Sequence, residues 1–314
     1  MKKIIPYLSI VLAMLIWAGA GIAVQEALVI FTPMTLIVGR FSIAVLLMCC
    51  LGLVFQKNAI LGLQRLDRSD IPLFILGGLF QPFLYFIFET YTYQSFASPT
   101  IAEALLSTQP VMAPLFAFAL LRERVTRNNI VGIILSTIGV LMLLMLGGGP
   151  LDMSHGGISK GVILALLTVS MSVSYSVVLR RIPKGYSPLS IVFYVQSFAL
   201  VLFYILWFIK GENSHLSAIF DAANHQPNQI IRSGLAVGYL AVLASVTAFI
   251  LFCYTVRKIG VTRANVFNNI RPVFTALLMW LIFGEVLPIW KIIGIIIIII
   301  GLFISQKQEK EEKN

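Results

Sequence analysis

Apolar residues run through this chain in long blocks separated by short polar stretches. No block shows the period-2 alternation of a strand. Ten blocks stand out, at 4–24, 34–55, 71–92, 98–120, 128–146, 159–179, 189–209, 233–256, 264–283 and 288–304. Each is close to the ~20 residues that a helix needs to cross a bilayer. Lipid offers the backbone no hydrogen-bond partners, and a membrane barrel would need alternating segments of about ten residues, so helices remain. The pattern predicts an all-α polytopic membrane protein with ten transmembrane helices. Ser69 and Asp70 ahead of Pro72 are ordinary helix-start chemistry, with Asp70 as the cap. Lys2, Lys3 and Ala18-Gly19-Ala20 have the outline of a signal peptide. The apolar run nevertheless continues through Val24, so the first block reads as a span.

Composition agrees with lipid as the solvent. Of 314 residues 59% are hydrophobic and only 11% charged, and the mean hydropathy is +0.93. A soluble domain carries about 25% charged residues. Disordered, collagenous and disulfide-scaffold classes are excluded. Cys49, Cys50 and Cys253 all sit inside apolar blocks, which argues against a disulfide framework. The net charge of +10 is scattered singly through loops, so a membrane surface fits it and a nucleic-acid partner does not. Seventeen of the 23 Lys and Arg fall on one side of the ten-span arrangement, four on the other, and Arg40 and Arg271 within spans. The positive-inside rule then puts both termini in the cytoplasm of a cell inner membrane.

The chain also repeats. At an offset of 162 residues Pro110 falls on Pro272, Glu123 on Glu285, Gly132 on Gly294 and Gly139 on Gly301, with Thr100 on Thr262 and Ala102 on Ala264. Five spans per half is an odd number, so the second half enters the membrane the other way up. This predicts two inverted five-helix repeats at 1–146 and 159–306, joined by a linker at 147–158 and followed by a charged cytoplasmic tail at 307–314.

The run Ala102-Glu103-Ala104-Leu105-Leu106, then Pro110, Pro114, Arg122-Glu123-Arg124, Gly132 and Gly139, resembles the repeat signature of EamA-type transporters of the drug/metabolite transporter superfamily. Ala264 through Pro272, Gly284-Glu285, Gly294 and Gly301 repeat it, and Pro33 with Gly39-Arg40 resembles the family's second helix. The resemblance covers essentially the whole chain. It implies a ten-helix exporter or exchanger of small organic molecules, with spans one to four and six to nine around a central cavity. Glu103 and Arg271 depart from the small or apolar residues of most members.

Charges inside a bilayer are costly, of order 2.5–3.5 kcal/mol each, so they face a cavity or a partner. Four occur: Arg40, Glu89 and Glu103 in the outer half, and Arg271 nearer the midplane. A structural bridge from Arg40 to Glu89 or Glu103 is one reading of the first two, and a coupling or gating role is the other. In span nine Asn265, Asn268, Asn269, Arg271, Pro272 and Thr275 fall on one face at 100° per residue. Span four carries a matching stripe of Glu103, Ser107, Pro110 and Pro114, with Gln109 equivalent to Arg271. Two such faces meeting centrally would make a substrate site. Pro110 and Pro272 would kink their helices as gates. Trp17, Tyr85, Tyr175 and Gln196 complete the candidate binding residues on other cavity helices.

Enzyme and cofactor motifs are missing from the sequence. Asp67-x-x-Asp70 has intervening arginine and no second acidic motif. His155, His215 and His225 lack metal-ligand spacing, and Gly147-Gly148-Gly149-Pro150 lacks the Lys of a phosphate loop. No cofactor or metal is expected, and transport should be driven by a gradient. The expectation is a secondary transporter of small polar or zwitterionic metabolites such as amino acids, by export or exchange. Arg271 would hold a carboxylate, and Glu103 an amine or a coupling proton. A multidrug exporter of organic cations is the alternative on the same fold, and a polytopic enzyme acting on lipid is the alternative of another class. Monomer and homodimer are both left open.

Overall fold

Proline opens most of the helices. It sits in the first turn of α1 (Ile5–Leu28), α2 (Pro33–Val54), α3 (Ile71–Ser95), α6 (Pro188–Ile209) and α7 (Pro227–Ile259), where its missing N–H breaks no helical bond. The remaining helices are α4 (Arg127–Met145), α5 (Gly157–Arg181), α8 (261–283) and α9 (Ile289–Gln306). The computed structural model describes residues 4–96, 102, 105–106, 126–145, 157–211, 226–284 and 289–306. No strand occurs among them. The polar stripe of span four, with Glu103, Gln109, Pro110 and Pro114, lies outside the described residues, as do Glu123, Glu285 and the three histidines.

Six of these helices are long and apolar enough to cross a membrane: α1, α2, α3, α6, α7 and α5 from Lys160. The outward faces of these helices and of α8 and α9 fit lipid alone. Val54, Ile209, Leu235, Leu281 and Phe303 are all more than two-thirds exposed, far more apolar surface than water tolerates. Helix α7 begins at Pro227, ahead of its apolar block, because the polar first turn is capped by Gln229, whose Oε1 accepts the Gln226 N–H at 3.1 Å. Gly260, at φ +92°, makes the turn from α7 into α8, a conformation that a Cβ would strain.

The two halves mirror one another locally. Thr32 caps α2 by accepting the Thr35 N–H at 3.4 Å, and Ser187 caps α6 by accepting the Ser190 N–H at 3.0 Å. A π-helical stretch interrupts α3 at Leu79–Leu84 and α7 at Leu240–Thr247. Helices α4 and α9 pack chiefly on each other, through glycines. A Cβ on Gly139 would stand 2.6 Å from the Gly294 carbonyl, and one on Gly301 would stand 2.7 Å from the Gly132 carbonyl. The later glycine of each helix therefore meets the earlier glycine of the other. Such a reciprocal contact means that the two equivalent helices cross antiparallel about a local two-fold.

On the face carrying Arg180, Arg181, Lys184 and Arg257, the segment 55–70 straps across the start of α6. Gln64 Oε1 accepts from the Ser187 N–H and from Ser190 Oγ, each at 2.7 Å, and the Gly62 carbonyl accepts from Ser187 Oγ at 2.6 Å. Tyr194 donates to the Gln64 carbonyl at 2.7 Å, and the Leu189 N–H to the Ile60 carbonyl at 3.1 Å. Asp70 occupies the N-cap position of α3, but its carboxylate does not cap the helix. It accepts the Tyr186 hydroxyl at 2.8 Å instead, because the strap brings that phenol within reach.

Candidate substrate site

Three breaks in helical geometry surround the centre of the molecule. In α3, Gln81 takes an extended backbone (φ −147°, ψ 114°) immediately before Pro82, which has no N–H to continue the ladder. In α7, the π-helical stretch presents the Ala244 and Ser245 carbonyls sideways. Trp17 Nε1 donates to the first at 3.0 Å, and Gln196 Nε2 to the second at 2.6 Å. In α8, a 3-10 turn at Phe267–Ile270 leads into Arg271–Phe283, whose first turn holds Pro272. Non-helical backbone inside a membrane is tolerated where it is buried in protein or lines a cavity.

Such a cavity lies between the breaks. It is narrow, with about 20 Å³ open to the centre of a water-sized sphere. Arg40, Glu89 and Arg271 contribute charge to its wall, Gln81, Ser172 and Asn268 polarity, and Trp17, Tyr85, Phe86, Phe249 and Phe252 rings. All three charged residues are buried, at 2%, 6% and 3% exposure, so neither bulk water nor lipid headgroups neutralise them. Arg40 is held by Ser245, whose Oγ accepts from Nε at 3.2 Å, and by the Phe86 ring 4.4 Å below its guanidinium carbon, with the Glu89 charge nearby. Glu89 Oε1 accepts the Tyr85 hydroxyl at 2.7 Å. The Arg271 guanidinium carbon lies 5.9 Å from the centre of the Trp17 ring, which in turn packs edge-on to Phe249 at 5.2 Å. Among the described residues the wall thus carries two cations and one anion.

A model of the EamA-like transporter family matches residues 4–145 and again 159–306. The chain belongs to the EamA-like transporter family. It is therefore a polytopic, mostly helical membrane transporter of small molecules, built from two EamA-like repeats, and not an enzyme. It is 26% identical over 99% of its length to the uncharacterized transporter YetK of Bacillus subtilis (strain 168), covering 89% of that protein. It is 25% identical over 94% of its length to an S-adenosylmethionine/S-adenosylhomocysteine transporter of Chlamydia muridarum (strain MoPn / Nigg), again covering 89% of that protein. A solved crystal structure shares the fold, with a TM-score of 0.71 at 20% identity over 96% of this chain and 97% of the other.

Within this EamA-like transporter, the residues singled out in the sequence divide into two groups. Trp17, Arg40, Tyr85, Glu89, Asn268 and Arg271 come together on one cavity wall. Asn265, Asn269, Tyr175, Gln196 and Thr275 are buried but lie off that wall. Asn265 Nδ2 donates to the Val261 carbonyl at 2.9 Å, Asn269 Nδ2 donates to Ser136 Oγ of α4, and Thr275 donates to the Ala18 carbonyl at 3.2 Å. The single polar face assumed for span nine is split, because a 3-10 turn advances about 120° per residue and shifts the phase of everything beyond it. Pro272 stands at that break. Gln81, Ser172, Phe86, Phe249 and Phe252 also line the wall and were missed. A glutamine beside a proline in the middle of an apolar block was the available signal for the first, and nothing in the one-dimensional pattern marked the others.

Proposed function

We propose that this EamA-like transporter carries small zwitterionic metabolites such as amino acids, by alternating access between two inverted five-helix repeats of ten spans in all. The observation that carries the substrate class is the cavity wall: two guanidiniums and a carboxylate, buried together beside aromatic rings. Arg271 takes the carboxylate, because a guanidinium fork matches its two oxygens in two charge-assisted hydrogen bonds. Glu103, on the span-four stripe, takes the amine or a coupling proton. Asn265, Asn268, Asn269 and Gln109 orient polar groups, and Trp17, Tyr85, Tyr175 and Gln196 shape the site. Arg40, Glu89, Pro110 and Pro272 serve coupling or gating.

The antiparallel crossing of α4 on α9 supports the inverted arrangement, with repeats at 1–146 and 159–306 joined by 147–158. The seventeen basic residues on one side support cytoplasmic termini in a cell inner membrane. The chlamydial relative is named for S-adenosylmethionine and S-adenosylhomocysteine, both of which end in an α-amino-acid head, the group this wall suits. The aromatic rings favour a second reading, export of apolar organic cations. One experiment separates the two. Uptake or thermal stabilisation by a zwitterionic amino acid is compared with that by its methyl ester, in wild type and in Arg271→Ala. The zwitterion reading expects wild type to reject the ester and the Ala variant to lose that discrimination. Equal acceptance by wild type would transfer the site to organic cations.

A further inference from the structure

Gln81 is only 4% exposed, it lines the cavity, and its Oε1 meets no hydrogen-bond partner. Buried side-chain oxygens are nearly always paired, so an orphan calls for a reason. Among the described residues the other buried oxygens without a partner belong to Thr90, Tyr175, Gln196 and Asn269, and none of these residues lines the cavity. Gln81 is also the residue at which α3 leaves helical geometry, so its side chain sits off the regular face of the helix. Glu89, about two turns further along the same span, brings a carboxylate to the same wall, with Oε1 steadied by Tyr85.

We propose that Gln81 and Glu89 form the ammonium subsite of this cavity, and that the transporter reads the N–H donors of a primary ammonium group in addition to its charge. The carboxylate end of the substrate rests on the reading given above; the ammonium end passes to Gln81 and Glu89, which takes Glu89 out of coupling and leaves Glu103 the coupling proton. A primary ammonium carries three N–H donors, enough to bond Gln81 Oε1 and the Glu89 carboxylate together. A quaternary ammonium has the same charge and no donor, so it would leave Gln81 Oε1 orphaned. Quaternary groups are instead bound by open aromatic faces. Here two of the cavity's rings already meet guanidiniums, Phe86 under Arg40 and Trp17 under Arg271. A site built to hydrogen-bond a donor rejects an analogue lacking it far more strongly than a purely apolar pocket would.

The test uses the purified full-length protein. The twenty amino acids are ranked by thermal stabilisation, and the strongest is compared with its N-methyl, N,N-dimethyl and N,N,N-trimethyl derivatives and with its methyl ester. Affinity is expected to fall along the methylation series, by about tenfold or more at the trimethyl derivative. Gln81→Leu, close to glutamine in size, should compress that ladder to less than about threefold, whereas Gln81→Glu should keep it. A purely steric penalty from the added methyls would survive in the Leu variant. Wild type binding the trimethyl derivative as well as the parent, or Gln81→Leu keeping the full ladder, overturns the subsite. If Gln81→Leu does not fold, Gln81→Met, also without an acceptor oxygen, takes its place with the same compression expected. A wild type that accepts the methyl ester while still rejecting methylated amines loses the carboxylate reading and keeps the subsite. No stabilisation by any of the twenty overturns both.

Discussion

The strap on the basic face and the central cavity are both polar and both join the two halves, yet only the cavity leaves a buried side-chain oxygen without a hydrogen bond among the residues compared. In the strap, Gln64, Ser187, Ser190, Tyr186, Tyr194 and Asp70 all exchange hydrogen bonds of 2.6–3.1 Å with one another or with nearby backbone. In the cavity, Gln81 Oε1 has none, and three ionisable side chains share a buried wall. A fully satisfied polar network rigidifies a joint, whereas an unsatisfied one keeps its bonding capacity for a ligand. The contrast assigns cohesion to the first region and recognition to the second. Arg40 is the intermediate case: it lines the cavity but is held by Ser245 and Phe86 as a strap residue would be.

The sharpest way to break this comparison is Arg271→Ala. Two charge-assisted hydrogen bonds at about 1.5–3 kcal/mol each imply a loss of roughly 100-fold or more in transport of a carboxylate substrate. The readout is the ratio of zwitterion to methyl-ester affinity, because removing one member of a buried charge group also lowers stability. A collapse in stability with unchanged relative affinities would mean that Arg271 holds the fold.

Gln64→Leu should do the reverse. It removes the acceptor of both the Ser187 N–H and Ser190 Oγ, and it should cost about 2–3 kcal/mol of stability. The affinity ratio between zwitterion and methyl ester should not move. A changed ratio would show that strap and cavity are energetically one unit.

A paired substitution sharpens the position of Arg40. Lysine keeps the charge but loses the planar fork, so Arg271→Lys should lose at least about tenfold more zwitterion affinity than Arg40→Lys. Arg40→Lys should instead lower stability by about 1–2 kcal/mol, through loss of the Phe86 face and the Ser245 bond. Equal effects on affinity would make the two arginines partners in binding.

The smallest effect is expected from Tyr186→Phe. The phenol donates to Asp70 and accepts the Asp67 N–H at 3.0 Å. Its loss should cost about 1 kcal/mol, a fall of roughly 2–4 °C in thermal midpoint, with transport kinetics unchanged. A fall in turnover would instead give the strap a part in the transport cycle.

The sequence alone determined the helices, the lipid environment and the duplication, since each depends on signals that survive in one dimension. Apolar blocks match the bilayer thickness, Pro72 marks a helix start, and Gly132, Gly139, Gly294 and Gly301 recur at one spacing where α4 and α9 cross, with a Cβ on Gly139 or Gly301 striking facing backbone. It also picked out the buried charges Arg40, Glu89 and Arg271, because ionisable groups inside apolar blocks are conspicuous. Tertiary structure decided which polar residues share a cavity. The π-helical stretches in α3 and α7 and the 3-10 turn in α8 reset the helical phase, so a wheel drawn at 100° per residue placed Asn265 and Asn269 beside Arg271 when they turn to Val261 and Ser136. Gln81 became a candidate ligand only once the tertiary structure placed that residue, at a break in its helix, on the cavity wall with its oxygen unpaired. Helix formation is a local property of the chain, whereas the direction of a side chain beyond a break depends on which neighbours take up the freed backbone groups.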